Sequence, residues 1–347
     1  MISNINSAYE RHDAGGVPTT LTEVPLAASS LYPTTYNWGA HGEPQPGFCS
    51  GCLDKGASSG HGKGLGGGSI INLMIFVRGN EGDYNKWEEM GNPGWGYRDV
   101  LPYFCKLEDA SNVAWNDSQY RGTGGPLSVS SVSYRTKLTD VYIEAAQQAG
   151  YPYVDYNGKQ QIGISHMQAT LRNGMRSNAE NSYLRPSRQR QNLKIRIGAY
   201  VTKILIKPDT KEAYGVEYKK NGIPVIKPLP VGETMYDHVG FAGAMFLLNE
   251  HIGCENLAFD SDEYWECAIR SMPSSTWHQQ CACKMGPETD KEAVVDPRLR
   301  VHGIKNLRVV DVSIFPTTVA AHTVGPAYMV GEKAADIIKE DWNAASN

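Results

Sequence analysis

Nine histidines are present in the chain, and two of them keep company that suits chemistry. His278 lies in Ser275-Thr-Trp-His-Gln-Gln-Cys-Ala-Cys-Lys-Met-Gly286, and His322 ends the run Pro316-Thr-Thr-Val-Ala-Ala-His322. A lone histidine is commonly a satisfied structural residue, so the claim on these two rests on their surroundings. Imidazole, with a pKa of about 6.5, suits the part of a base near neutral pH. His278-x-x-Cys281-x-Cys283 offers three soft donors, but no fourth lies nearby at zinc spacing, so no metal site is read there. The second chemical feature is backbone. Gly62-Lys63-Gly64-Leu65-Gly66-Gly67-Gly68-Ser69 contains a literal G-x-G-x-x-G. The dinucleotide fingerprint must follow a buried strand, and residues 55–61 are not one; no acidic residue follows in the right setting. Glycine still lets backbone N–H groups come close to an anion or a cofactor ring.

The elements that must hold these residues belong to an ordinary globular chain. At 347 residues, division by about 150 gives about two domains. The charge balance is −4, with no clustered basic run, which argues against a nucleic-acid partner. The longest apolar stretch, residues 70–77, is interrupted by Asn72 and falls short of a membrane span. No secretory signal is visible at the start. Seven cysteines are too few for a disulfide scaffold and odd in number, which leaves the redox compartment open. Residues 41–69 read as an extended loop. The apolar run after Ser69 reads as a buried helix, with a strand as the alternative. Residues 92–94 read as a turn and 97–107 as an amphipathic helix. Leu127-Ser-Val-Ser130 reads as a strand, and 138–149 as a helix with Gly150 as its C-cap. Residues 193–197, 201–206 and 214–218 read as a β-meander, 307–311 as a strand, and 327–342 as a long helix.

Taken as one string, Gly62 to Gly79 with Asn72 and Asn85 resembles the first signature of the glucose-methanol-choline (GMC) flavoprotein oxidoreductases. The continuation Arg78-Gly-Asn80, Asp83-Tyr84, Trp87 and Gly91-Asn-Pro-Gly-Trp95 is similar to the insect-type glucose dehydrogenase branch. The resemblance implies an α/β (α+β) fold. A GMC-type FAD-binding domain would take residues 1–125, 178–240 and 290–347. A substrate-binding domain with an antiparallel sheet would take 126–177 and 241–289, both domains being incomplete. It implies FAD as cofactor, with Gly66, Gly67, Ser69, Asn72 and Met74 along the flavin and Asp13 at the adenosine ribose. Val201 would contact the adenine; Trp277, Asp311, Thr323 and Val324 would lie near the flavin. Pro230-Val-Gly-Glu233 with Asp237-His238 is similar to a hinge-and-flavin motif of the family. His278 and His322 would be the catalytic pair: one removes the hydroxyl proton of an alcohol or sugar as hydride leaves for flavin N5, the other holds the oxygen. An electron acceptor such as a quinone or oxygen would complete the reaction.

The sequence departs from the family in places. The catalytic block usually reads H-P-V-G-T-C, and Gln279, Gln280, Cys281 and Ala282 replace its middle. Cys49 resembles a loop cysteine whose usual partner position holds Ala57, and Cys52 is a strained substitute. Asp13 stands where Glu is usual, without an apolar strand before it. No strand–GxGxxG–helix unit resembling the family's precedes residue 13, and a second signature is absent after residue 219. An abridged member is therefore expected to bind FAD at least about 4 kcal/mol more weakly than a complete one. The competing reading is a truncated remnant that does not hold FAD. Family members are often extracellular, and the compartment of this chain stays open.

Overall fold

The computed structural model describes residues 9–44, 46, 58–115, 117–219, 235–240, 254, 256–271 and 274–346. Asn80 starts the first long helix, α1 (Glu81–Glu89), through a capping box. Its Oδ1 accepts from Gly82 N at 2.9 Å, and Asp83 Oδ2 accepts from Asn80 N at 3.1 Å. Next comes α2 (Tyr97–Leu107), where Tyr97, Val100, Phe104 and Leu107 recur at helical spacing and are buried. That stripe packs against the carboxy-terminal helix, whose Met329, Val330, Ala334 and Ile337 repeat in the same way. Trp87 and Trp95 fill the space beside it, with Trp87 and Phe315 ring centroids 4.7 Å apart.

β2 (Glu108–Asn112) and β3 (Leu127–Ser131) pair in parallel, after β1 (Tyr9–Asp13) near the start of the chain. β3 also pairs antiparallel with Gln168–Ala169, which makes the largest sheet among the described residues. A buried ionic group knits this region together. Arg78 Nη2 donates to Glu108, while Arg121 Nε donates to Asp155 at 2.8 Å. Helix α3 (Lys137–Gln148) ends at Ala149, with Gly150 at φ +95° just beyond, the left-handed stop expected of glycine.

The three strands expected as a meander are arranged otherwise. β4 (Leu193–Ile197) pairs in parallel with β1, Tyr9 opposite Leu193 and Asp13 opposite Ile197. Only β5 (Tyr200–Lys207) and β6 (Glu212–Lys219) form a hairpin. The reason lies at Gly198, φ +64°, whose N–H donates to Gly15 O at 3.1 Å while Ala199 N donates to Asp13 O at 2.8 Å. The bend is thus bonded to a segment 180 residues away instead of folding back on itself. A strand does precede Asp13, made of Tyr-Glu-Arg-His rather than apolar residues.

Two further expectations are corrected. After a single 3₁₀ turn, Gly67–Ile70, the chain runs extended: Phe76 N donates to Gln168 O at 2.9 Å and Ile75 bridges Ala169. Burial alternates through Met74, Phe76 and Arg78, the period-two pattern of a strand and not of a helix. Residues 307–311 make one bridge, between Arg308 and Arg300, in place of a regular strand. Two further long helices are α4 (Asp262–Ser271) and α5 (Val324–Ser346). A disulfide joins Cys254 to Cys267 at the base of α4, a pairing the spacing did not suggest. Cys105, Cys281 and Cys283 are thiols outside any disulfide; Cys49 and Cys52 lie outside the described residues. Among the described residues no helix is long and apolar enough to cross a membrane.

Candidate active site

The glycine turn is closed by contacts only glycine permits. A Cβ on Gly62 would stand 2.1 Å from the carbonyl oxygen of Gly67, and one on Gly15 would stand 2.5 Å from Gly64 N. Gly66 and Gly67 sit at φ +106° and +56°. Nothing lies within 4 Å of where a Cβ on Gly67 or Gly68 would be, so the turn presents an open backbone face. Its outer edge meets the end of β1, where Gly16 bridges Gly64 and Leu65 N donates to Gly16 O at 3.0 Å. Its inner edge meets residues 176–182: Ala179 N donates to Ser69 Oγ at 3.0 Å, and Arg176 Nη1 donates to Asn72 Oδ1 at 2.7 Å. Arg176 is 1% exposed, and its Nη2 has no hydrogen-bond partner among the described residues. Burial pulls its pKa down to about 10.

The two ends of this segment lead to the two histidines. Upstream, a Cβ on Gly60 would lie 2.9 Å from the Trp277 ring, beside His278. Downstream, a Cβ on Gly325 would lie 2.6 Å from Val77 O, at the start of α5 and next to His322. His278 Nε2 and His322 Nδ1 are 3.1 Å apart, with ring centroids 4.8 Å apart at 89°. The pair expected from the sequence is therefore a pair in space. A third imidazole joins it, since His238 Nδ1 lies 2.9 Å from His278 Nδ1 and His238 Nε2 lies 2.7 Å from Thr318 Oγ1.

Asp237 fixes the loop that carries His278. Its carboxylate accepts from His278 N at 2.9 Å, from Gln279 Nε2 at 2.9 Å and from the Ser275 hydroxyl. Tyr236 and Gln280 exchange backbone hydrogen bonds at 3.0 and 2.9 Å, which tie the loop to residues 236–238. Trp277 and Cys281 hold left-handed backbone, φ +59° and +72°, on either side of His278. Each costs on the order of 1–3 kcal/mol, which the surrounding bonds must offset. Burial, then His322 and His238, pushes the His278 pKa down to about 4; burial, then His238, lowers that of His322. Both rings are thereby held neutral at physiological pH.

The other expected residues fall in two groups. Gly66, Gly67, Ser69 and Asn72 line the turn, and Met74, buried at φ +64°, follows it. Trp277 closes on Tyr32, centroids 4.3 Å apart. Thr323 and Val324 open α5, where Thr323 O accepts from Ala327 N at 2.9 Å. Asp311 caps a short 3₁₀ turn, Oδ1 accepting from Ser313 N at 2.8 Å, and Ser313 O accepts from Cys283 N at 2.7 Å. Asp13 stands at the turn's outer edge, its Oδ1 accepting from Gly15 N at 2.9 Å. Val201 lies apart from the histidines, on the β5–β6 hairpin. Missed at the sequence level were Arg176, Asp237 as loop anchor and His238 as a ring partner. Only the family motif around Asp237-His238 hinted at the last two.

Residues 45–234 match the N-terminal part of the GMC oxidoreductase family, and residues 232–331 match its C-terminal part. Glucose dehydrogenase [FAD, quinone] of Drosophila melanogaster is 26% identical over 516 positions, covering 96% of this chain and 83% of the relative. Human mitochondrial choline dehydrogenase is 27% identical, covering 90% and 80%. An alignment of 516 positions against 347 residues means long internal gaps in this chain. Among solved structures, pyridoxine 4-oxidase from Mesorbium loti superposes with a TM-score of 0.80 at 18% identity, covering 95% of this chain and 94% of that one. An FAD-dependent oxidoreductase from Chaetomium thermophilum gives 0.80 at 19%, covering 97% and 95%. The fold is thus shared, and by the match over most of its length this chain belongs to the GMC oxidoreductase family.

Proposed function

We propose that the chain oxidises a CH–OH group of a small alcohol or sugar, with FAD as cofactor and the His278–His322 pair handling the hydroxyl proton. One observation carries this reading: two imidazoles 3.1 Å apart lie where Gly60, just before the glycine turn, meets Trp277 and where Val77, beyond it, meets Gly325. The residues present fit the flavin end of such a cofactor. The open backbone face at Gly67 and Gly68 leaves room for a ring, the unpartnered Arg176 Nη2 points to an electron-rich group, and the start of α5 offers a helix N-terminus. Gly66, Gly67, Ser69, Asn72 and the backbone at Thr323 and Val324 would hold it there, with Asp13 toward the ribose. When bound, FAD supplies the hydride acceptor.

The chain itself supplies proton chemistry and orientation. Neutral imidazole has the free pair that a hydroxyl proton needs, and holding its pKa low keeps that pair available. The Asp237 bonds and the flanking left-handed residues set the His278 ring. The reading of a remnant without flavin has less support, because a decayed site would have no reason to retain three imidazoles in mutual contact and a closed glycine turn. The acceptor, a quinone or oxygen, is part of the same proposal. The test is reconstitution of purified protein with FAD, followed anaerobically by absorbance with glucose, choline and aromatic alcohols. Bleaching of the two visible flavin bands by one of them supports the reading. Flavin that binds and is reduced by none of these alcohols overturns the substrate assignment, and failure to retain flavin at micromolar concentration overturns the whole.

A further inference from the structure

Asn72 is held at three points, and they decide which way its amide faces. Its backbone N–H donates to Gly68 O at 3.0 Å, and its backbone oxygen accepts from Arg176 Nη1 at 2.6 Å. Its side-chain Oδ1 accepts from Arg176 Nη1 at 2.7 Å and from Met74 N at 3.1 Å. Reversing the amide would set its nitrogen against two donors, so the oxygen is assigned to the Arg176 side from the network of partners. The two N–H groups of Nδ2 are then turned away from Arg176, and among the described residues they have no acceptor. Arg176 is 1% exposed. Its Nε donates to Thr22 O at 2.8 Å, Nη1 also reaches Ser69 O at 3.3 Å, and Nη2 has no partner among the described residues. The groups that couple to its charge are the phenols of Tyr32 and Tyr328, kept neutral by burial, and no carboxylate is among them. Tyr32 in turn packs on Trp277, ring centroids 4.3 Å apart, so a chain of contacts runs from the guanidinium to the candidate site. A buried cation without a counter-ion is destabilising, and the penalty falls when a neighbouring group gains negative charge.

We propose that Arg176 is a positioning residue of the cofactor site: it turns the Asn72 amide N–H groups outward as donors to the flavin and sets a fixed positive charge behind them that favours the reduced ring. The proposal rests on the reading above for the presence of FAD. Hydride leaving a CH–OH carbon takes two electrons and one proton to the ring, while the hydroxyl proton leaves separately and the alcohol becomes a carbonyl compound. The ring thereby gains one negative charge. A permanent cation interacts weakly with the neutral ring and strongly with the charged one, so it acts on the difference between the two states. Guanidinium suits this part because it stays protonated. Even with its pKa drawn down to about 10 by burial, Arg176 is charged at neutral pH. Its rigid fork also holds the backbone and side-chain oxygens of Asn72 together, which a flexible ammonium does with less order. Asn72 is the group that would touch the ring; Arg176 acts through it and through its own field.

The test uses the full chain reconstituted with FAD, and sulfite as a probe that needs no alcohol. Sulfite adds to oxidised flavin through its electron pair, places one negative charge on the ring and bleaches the visible bands. Arg176→Met should weaken sulfite binding about tenfold and lower the midpoint potential of the bound flavin by about 30 mV, the two-electron equivalent of tenfold. Arg176→Lys, which restores a charge, should recover most of both losses. Asn72→Ala, which removes the donor, should weaken sulfite binding about threefold or more. A purely structural Arg176 would lower flavin content or thermal stability without moving either value in the flavin that remains. Unchanged sulfite affinity and potential in Arg176→Met overturn the proposal. Should that variant fail to fold, the neutral but hydrogen-bonding Arg176→Gln decides in the same way. In the flavin-free, ¹⁵N-labelled chain the Asn72 side-chain amide resonances should shift in Arg176→Gln and stay near their wild-type positions in Arg176→Lys; resonances indifferent to both overturn the positioning role. If the wild-type chain retains no flavin, the reading beneath the proposal falls and the charge effect with it, while those resonances still decide whether Arg176 sets the amide.

Discussion

Acid is expected to destabilise the protein through His278, and the size can be worked from its surroundings. Burial and the neighbouring His322 and His238 rings hold its folded pKa at about 4, against about 6.5 in an unfolded chain. A proton therefore binds the unfolded state more readily, so stability rises with pH between about 4 and 6.5 and is flat above. A gap of about 2.5 pH units corresponds to about 3 kcal/mol if the ring were fully enclosed. Because the ring is only half-buried, solvent screening reduces the expectation to about 1–2 kcal/mol. Urea unfolding of wild type and His278→Gln at pH 4.5, 5.5 and 7.5 isolates the effect. His322 and His61 are also lowered, chiefly by burial, but they remain in both proteins and cancel in the difference. The wild-type advantage over the variant should be larger at pH 7.5 than at pH 4.5 by that 1–2 kcal/mol. Parallel pH profiles would show that the ring is not held neutral by its site and would remove the reason for treating it as a ready base.

Other perturbations read different parts of the molecule. Gly62→Ala places a methyl 2.1 Å from the Gly67 carbonyl oxygen, so FAD titration followed by absorbance should show binding at least about tenfold weaker than wild type. Glu108→Ala leaves the buried Arg78 without its carboxylate and should cost about 3–5 kcal/mol in urea unfolding. Asp237→Asn must turn one N–H toward a donor of the His278 loop. It should cost about 1–3 kcal/mol of stability and give an altered His278 ring signal by NMR, since the loop loses a charge-assisted bond. Replacing Cys254 and Cys267 by Ser opens a short loop beside α4 and should lower unfolding free energy by about 3 kcal/mol in non-reducing buffer.

Much of the local structure was legible from periodicity. α2 and α5 follow their apolar stripes, α3 stops at Gly150, and β5 and β6 alternate as a hairpin, because these patterns repeat within a few residues and need no distant partner. The glycine string and the blocks around His278 and His322 carried the family, and with it the expectation that two rings 44 positions apart would meet. What the sequence could not supply was non-local. The parallel pairing of β1 with β4 depends on a bend bonded across 180 residues, and the run after Ser69 became extended because Gln168 and Ala169 offered it a strand to pair with. Arg176 gained its place beside Asn72 only when residues 176–182 packed on the glycine turn. His238 had only its place in a family motif until folding set it 2.9 Å from His278. Thr276, whose hydroxyl donates to His238 O at 2.8 Å and lies 3.1 Å from His278 Nδ1, likewise meets these rings only in the fold. A hydrogen bond has a direction only once both partners are fixed in space, and no spacing along a chain encodes that.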